Sequence, residues 1–353
     1  MAVMCEQQIE RVQGSVERVT FHSEESGFCV LRTKVKGHRD LVTVIGNAAS
    51  AIQLIPELAE SVAKLTVYHR SPNWIIFKGD RPYSRVEKWL GKTFPPLTNL
   101  YRFSIWAQGE FVIWPMIQGK KWAQKLGEWI GRRQIRKAVK DPELREILTP
   151  DFPIGAKRVL LSDKIYPALA RENVEVVTSG VDHFTSDGIQ TQDGIARAHD
   201  LVVMATGFYS NPFLKEITVT NAKGRTLRDQ WANGAEAYLG AMTAGFPNLF
   251  MLYGPNTNTG HSSIIFKLEQ QVGYIIQLIQ KARATDKHLI IVDPNAEAEF
   301  NVEVQNRLRD LAWNKVEASW YLDGDKITNN WMGNTREFRA RMKTPIWEHY
   351  QVS

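Results

Sequence analysis

Gly46-x-Ala48-x-x-Ala51 carries the first chemical signal in the chain. An apolar, β-branched run from Leu41 to Ile45 stops at Gly46, and small residues then open an amphipathic run through Ile52, Ile55, Leu58 and Ala59. The order reads as buried strand, tight turn and helix start. In a Rossmann βαβ unit that turn and helix N-terminus offer backbone N–H groups to a dinucleotide pyrophosphate. The spacing is a loosened G-x-G-x-x-G/A, and a close-packed turn with no ligand uses the same small residues. Arg70 stands 24 residues after Gly46, near the ~20-residue offset where such a fold meets the adenosine ribose. An acidic residue there favours NAD, whereas a guanidinium matches a 2′-phosphate through two charge-assisted hydrogen bonds. His69 and Arg70 therefore favour NADPH; a solvated strand-end arginine is the alternative.

The elements that must position these residues alternate. A helix is expected over 50–62, then the strand Lys64-Leu65-Thr66-Val67-Tyr68. After a Tyr166-Pro167 turn come a strand at Val174-Glu175-Val176-Val177 and a hairpin over 183–195. A further strand in 200–208 runs into the small-residue turn Ala205-Thr206-Gly207, and the apolar run 245–254 reads as another buried strand. A long helix is expected over 262–283. Strands alternating with helices indicate an α/β fold with a doubly wound parallel sheet. Before Ser50 the texture differs: residues 15–45 alternate in β fashion with turns at 24–27 and 36–40, a short antiparallel β segment.

Residues 85–150 read as a helical, basic insertion rich in tryptophan, with Trp89, Trp106, Trp114, Trp122 and Trp129. Such a stretch can lie on an anionic membrane surface. The favoured reading is an insertion whose tryptophans pack on the main body. The 353-residue chain is 23% charged and 43% hydrophobic with a net charge of +6, which is an ordinary globular balance. That charge is too modest and dispersed to argue for nucleic acid. Cys5 and Cys29 form neither a disulfide framework nor a metal-ligand spacing, so no metal is expected and a reducing cytoplasm fits. Neither a signal peptide nor a transmembrane run is visible.

From Val42 onward the chain resembles the flavin-dependent Baeyer–Villiger monooxygenases and related class B flavoprotein monooxygenases. The resemblance rests on the Gly46 turn, His69-Arg70-Ser71-Pro72-Asn73-Trp74, Gly155-Ala156-Lys157-Arg158, the Ala205-Thr206-Gly207 stretch, residues 245–261, Ser319-Trp320-Tyr321 and Asn330-Trp331. It implies a Rossmann-type NADPH domain at 41–206 carrying the insertion, and the C-terminal part of an FAD domain at 207–353. It also implies that NADPH reduces FAD and that O₂ then forms a C4a-peroxyflavin, which oxygenates a small-molecule ketone or heteroatom substrate. Gly46, Ala48, Ser50 and Ala51 would meet the NADPH pyrophosphate and Arg70 its 2′-phosphate. Ala205, Thr206 and Gly207 would join the cofactor-binding set. Arg158 would be the catalytic arginine, holding negative charge on the reacting flavin. Gly254, Asn256 and Asn258 would line the flavin side. His261 receives no role, because a lone histidine at a helix start is more often a cap or a packed residue.

The resemblance also implies a first glycine-rich FAD turn before Gly46, and residues 1–41 contain none. Residues 12–45 instead resemble the N-terminal β module of RecD-type helicases, the exodeoxyribonuclease V alpha-subunit family. No G-x-x-x-x-G-K-[ST] follows, so no helicase motor is expected. The expected organisation is a fusion with a helicase-like segment at 1–40 and weak or absent FAD binding. Three readings stand: an NADPH- and FAD-dependent monooxygenase, an inactive remnant that binds NADPH at most, and a DNA-binding module.

Overall fold

The computed structural model describes residues 14–22, 29–35, 40–207, 213–214, 216–315, 322–323 and 326–353. Strands β1 (Gly14–His22) and β2 (Cys29–Val35) form an antiparallel hairpin that pairs with no other described strand. The expected turn at 24–27 and most of that at 36–40 lie outside the described residues, as does Ser319-Trp320-Tyr321.

The α/β unit begins at β3 (Leu41–Ile45). Val42, Thr43 and Val44 are all buried, and the Thr43 hydroxyl donates to the Thr66 carbonyl at 2.8 Å. A strand covered on both faces belongs inside a parallel sheet. Helix α1 (Ala51–Ala59) returns the chain to β4 (Lys64–Tyr68), paired in parallel with β3 from Leu41–Lys64 to Ile45–Tyr68. The helix is shorter than the expected 50–62, because the Ser61 amide and hydroxyl both turn back to the Leu58 carbonyl.

Strand β5 (Ile75–Ile76) pairs with β6 (Leu160–Leu161), and the helical insertion lies between them. It comprises α2 (Arg85–Thr93), α3 (Pro95–Gln108), a π-helical turn (Gly109–Ile113), α4 (Trp114–Ile117), α5 (Lys121–Ala138) and α6 (Pro142–Ile147). Helix α5 seats on the body through Ala123, Gly127, Gly131 and Ile135, whereas α2 and α3 bury no residue. The tryptophans therefore divide, against the expectation that they pack on the body. Trp114 is buried and the Trp106 indole donates to Thr335 Oγ1 at 2.9 Å, but Trp89, Trp122 and Trp129 are more than half exposed.

Helix α7 (Ile165–Leu169) takes the place of the expected Tyr166-Pro167 turn. Proline is tolerated in a first helical turn, where its missing N–H would have no partner. Strand β7 (Val174–Val177) then joins β4, and β8 (Val181–Phe184), β9 (Gly188–Thr191) and β10 (Ala196–Ala198) form a small antiparallel sheet. Strand β11 (Leu201–Met204) completes a four-stranded sheet in the order β11-β3-β4-β7, parallel at every junction. The architecture is α/β with a Rossmann-type sheet.

The C-terminal body contains α8 (Leu227–Gln230), α9 (Ile264–Ala284), β12 (Ile290–Val292), α10 (Pro294–Arg309), β13 (Leu322–Asp323), β14 (Lys326–Ile327), α11 (Thr335–Arg341) and β15 (Tyr350–Val352). Its core gathers Tyr238, Tyr274, Phe300, Trp313, Trp331, Phe338 and Tyr350. Within it the Tyr274 and Tyr350 hydroxyls meet at 2.8 Å, and Tyr238 meets His349 Nδ1 at 2.6 Å. The run 245–254 is not a strand. Among the described residues it has no neighbour to form a ladder; its backbone turns through positive φ at Asn248 and Tyr253 and bonds irregularly to Ala241 and Ile290. Among the described residues no helix is long and apolar enough to cross a membrane.

Candidate nucleotide-binding site

The ends of β3 and β11 bring two separately predicted stretches together. Gly46 adopts φ +119°, and a Cβ there would collide with the Ala205 carbonyl. The Ala205 amide donates to the Ile45 carbonyl at 2.8 Å, and the Gly46 amide to the Tyr68 carbonyl at 2.9 Å. Only glycine meets both demands, an unusual φ and a backbone in contact. Gly207 also has positive φ, at +100°, and faces open space.

Beyond Gly46 the α1 N-terminus stands open. Ala48 and Ser50 are exposed, Ser50 caps no amide with its side chain, and the first turn holds no acid. The positive end of the helix is thus left for an outside anion. Two asparagines that sequence reasoning left without a role fix this loop. Asn47 Nδ2 donates to the Ser71 carbonyl at 2.6 Å, and Asn73 Nδ2 donates to Asn47 Oδ1 at 3.0 Å. They tie the turn after β3 to the segment carrying Arg70. Arg70 itself is exposed and enters no ion pair among the described residues. Beside it His69 is buried, its Nε2 has no partner, and burial pushes its ring down to about 4. The imidazole is therefore neutral, and Arg70 is the cation on this rim.

A second grouping forms around Tyr253. Its hydroxyl donates to Asn258 Oδ1 at 2.9 Å. Burial raises the phenol and the Arg158 charge opposes that rise, so Arg158 acts electrostatically on a tyrosine absent from the predicted set. Arg158 is exposed, and its strand approach depends on Gly155, where φ is +94° and a Cβ would press on the Met116 carbonyl at 2.7 Å. Asn256 sits in the interior instead. Its Nδ2 donates to the Ile327 and Asn330 carbonyls at 2.6 and 3.1 Å, strapping the loop to β14. Gly254 permits close backbone approach to Gly240.

Behind this loop lies a buried ionic cluster that the motifs did not flag. Glu110, in the π-helical turn, accepts from Thr335 Oγ1 at 2.7 Å and from the Arg336 amide and Nε at 3.4 and 3.3 Å; His261 Nε2 lies 3.5 Å away. Burial pushes the carboxyl upward, but these hydrogen bonds prevail and hold it at about 2. His261 is buried against Trp114, and burial lowers its ring. Lys267 is fully buried, its ammonium 4.7 Å from the Phe338 ring and 5.4 Å from that of Trp331, and burial drives its pKa far down. A lysine inside the apolar run that opens α9 was the available signal.

A Baeyer-Villiger monooxygenase of Pseudomonas aeruginosa is 37% identical over 340 residues, covering 94% of this chain and 62% of that protein. Another, from Streptomyces coelicolor, is 37% identical over 88% of this chain and 60% of its own length. The FAD-binding monooxygenase ktnD of Aspergillus niger is 35% identical, with 88% and 52% covered. Among solved structures, oxidized steroid monooxygenase bound to NADP superposes with a TM-score of 0.77 at 25% identity, over 90% of this chain and 68% of that one. The chain spans about three-fifths of the length of the first curated relatives it matches. Residues 9–53 separately match the OB-fold domain of the ATP-dependent DNA helicase YrrC, in line with the helicase resemblance of residues 12–45. The end of that match overlaps β3, which here belongs to the parallel sheet, and the start of α1, the helix that follows it.

Proposed function

We propose that this chain binds NADPH at the carboxyl ends of β3 and β11 and serves a flavin-dependent monooxygenase reaction of the Baeyer–Villiger type. The observation that carries the reading is the Gly46 turn: a close backbone contact, an uncapped helix start and, beside them, an Arg70 with no ion pair among the described residues. Backbone amides from Ala48 to Ala51 hold the pyrophosphate, with Gly46 allowing its approach, and Arg70 holds the 2′-phosphate. Asn47 and Asn73 keep the two segments in register. The small-residue turn 205–207 closes the floor of the nucleotide cleft. In this reading residues 41–206 form the nucleotide domain with its insertion, and 207–353 the flavin-facing portion.

Arg158, Tyr253 and Asn258 fit the edge of a flavin, and Gly254 and Asn256 shape the loop that presents Asn258. FAD, when bound, supplies the oxygen-activating redox chemistry. The protein's part is a fixed positive charge from Arg158 on a reacting anion, and orientation of a ketone or heteroatom substrate beside it. Titrating the purified protein with NADPH and NADH, and recording its visible spectrum, tests the reading. A stoichiometric flavin band bleached by NADPH is the expected result for an oxygenating enzyme.

A second reading has support of its own. Among the described residues the run 245–254 lacks a ladder partner. A chain that binds NADPH and holds FAD weakly or not at all fits that observation. A colourless protein whose fluorescence still responds to NADPH selects it. The helicase-like segment leaves DNA binding as a third outcome, marked by salt-sensitive retention that deletion of residues 1–40 removes.

A further inference from the structure

Helix α5 has two faces of unlike chemistry. One buries Ala123, Gly127, Gly131 and Ile135, and the glycines let the helix sit close: a Cβ at Gly131 would press on the Trp74 ring at 2.8 Å. On the other face Trp122, Leu126, Trp129 and Arg133 recur at i, i+4, i+7 and i+11, which places them in one stripe. Trp122 is 57% exposed, Trp129 53% and Leu126 40%. Exposed Lys121, Lys125, Arg132, Arg136 and Lys137 rim the stripe. The one acid of the helix, Glu128, is turned toward the body, where it accepts from the Ile154 amide at 3.4 Å. The Arg133 guanidinium lies 5.6 Å from the Trp129 ring, so cation and aromatic share the same patch.

We propose that this face of α5 docks on an anionic lipid surface. An apolar stripe with a cationic rim is the pattern of a helix lying in the membrane interface: indoles and Leu126 enter the headgroup–acyl boundary while lysines and arginines meet lipid phosphates and carboxylates. Charge selects the occupant. A second copy of the same face would bring like charges together, which opposes self-association. A soluble polyanion would satisfy the rim and leave the stripe in water. The rigid seat of the buried face means the helix is already formed before it meets the bilayer, so docking does not require ordering it.

The test uses the full chain sedimented with phosphatidylcholine vesicles with and without phosphatidylserine. Retention only on the phosphatidylserine vesicles, weakening with added salt, is expected. Lys125→Glu, Arg133→Glu and Arg136→Glu each lower binding at least about fivefold. Trp122→Ala with Trp129→Ala lowers it roughly tenfold or more, at low and high salt alike. Circular dichroism confirms that each variant keeps its helices, and Lys125→Gln with Arg136→Gln serves as a milder charge variant. The proposal is overturned if phosphatidylserine vesicles retain nothing. It is equally overturned if the tryptophan pair can be removed without effect, which leaves plain adsorption to polyanions. Light scattering that shows a dimer abolished by Trp122→Ala with Trp129→Ala overturns it in favour of a second copy.

Discussion

Arg70 and His69 are neighbours with opposite surroundings, and each makes a separate prediction. Arg70 reaches solvent with no ion pair among the described residues, so its replacement by alanine costs the fold little. Losing a charged partner to the 2′-phosphate should weaken NADPH binding about 10- to 100-fold and leave NADH binding unchanged; an equal loss for both nucleotides contradicts the assignment. His69 is held neutral by burial, with its pKa lowered from 6.5 to about 4. The unfolded chain takes up a proton as pH falls through 6.5, while the folded chain does not until about 4. Stability is therefore full above pH 6.5 and declines by about 3 kcal/mol on the way down to pH 4. Urea unfolding across that range should show the decline, and His69→Gln should flatten it. The turn at Gly46 was legible in the sequence because a β-branched run stops there and small residues follow; for Arg70 spacing gave its position, and its nucleotide contact is the proposal. Tyr253, Asn47 and Asn73 were not, since their roles come from partners 5, 24 and 26 residues away.

At the scale of elements, the parallel sheet was readable because Val42 to Ile45 in β3 and Leu65 to Tyr68 in β4 are unbroken apolar or β-branched runs, and burial on both faces demands such residues. The run 245–254 is apolar too, but it has no β-branched residue and among the described residues no strand lies beside it; apolar composition cannot supply a ladder. Two joints between elements are sensitive to single changes. Gly46→Ala places a methyl group against the Ala205 carbonyl and should cost a few kcal/mol of stability together with nucleotide binding. Glu110 joins the insertion to the start of α11 through four donors on Thr335 and Arg336, and to the loop before α9 through His261. Glu110→Ala leaves those donors facing an empty site, and a loss of about 1–3 kcal/mol is expected in thermal or denaturant unfolding. Glu110→Gln should recover part of it, because an amide oxygen still accepts from Thr335.

For the molecule as a whole, the two largest buried clusters among the described residues lie one around the sheet and the other around α9 and α10, with two smaller ones beside them. If the nucleotide reading holds, NADPH protects the first half preferentially, and amide exchange with and without nucleotide should show slowing concentrated in 41–70 and 200–207. The resemblance reached the family of relatives from sequence alone, but not the exposed stripe of α5, because an amphipathic period does not say which of two faces the body will cover. The tyrosines of the second core have a consequence for how that half can be watched. Burial raises the hydroxyls of Tyr274 and Tyr350, and pushes Tyr238 up to about 12. Unfolded tyrosine ionises near 10, so alkali favours the unfolded chain above that pH. Between pH 10 and 12 the phenolate absorbance of these rings should appear only when this half opens, giving an intrinsic optical clock for its rate of opening.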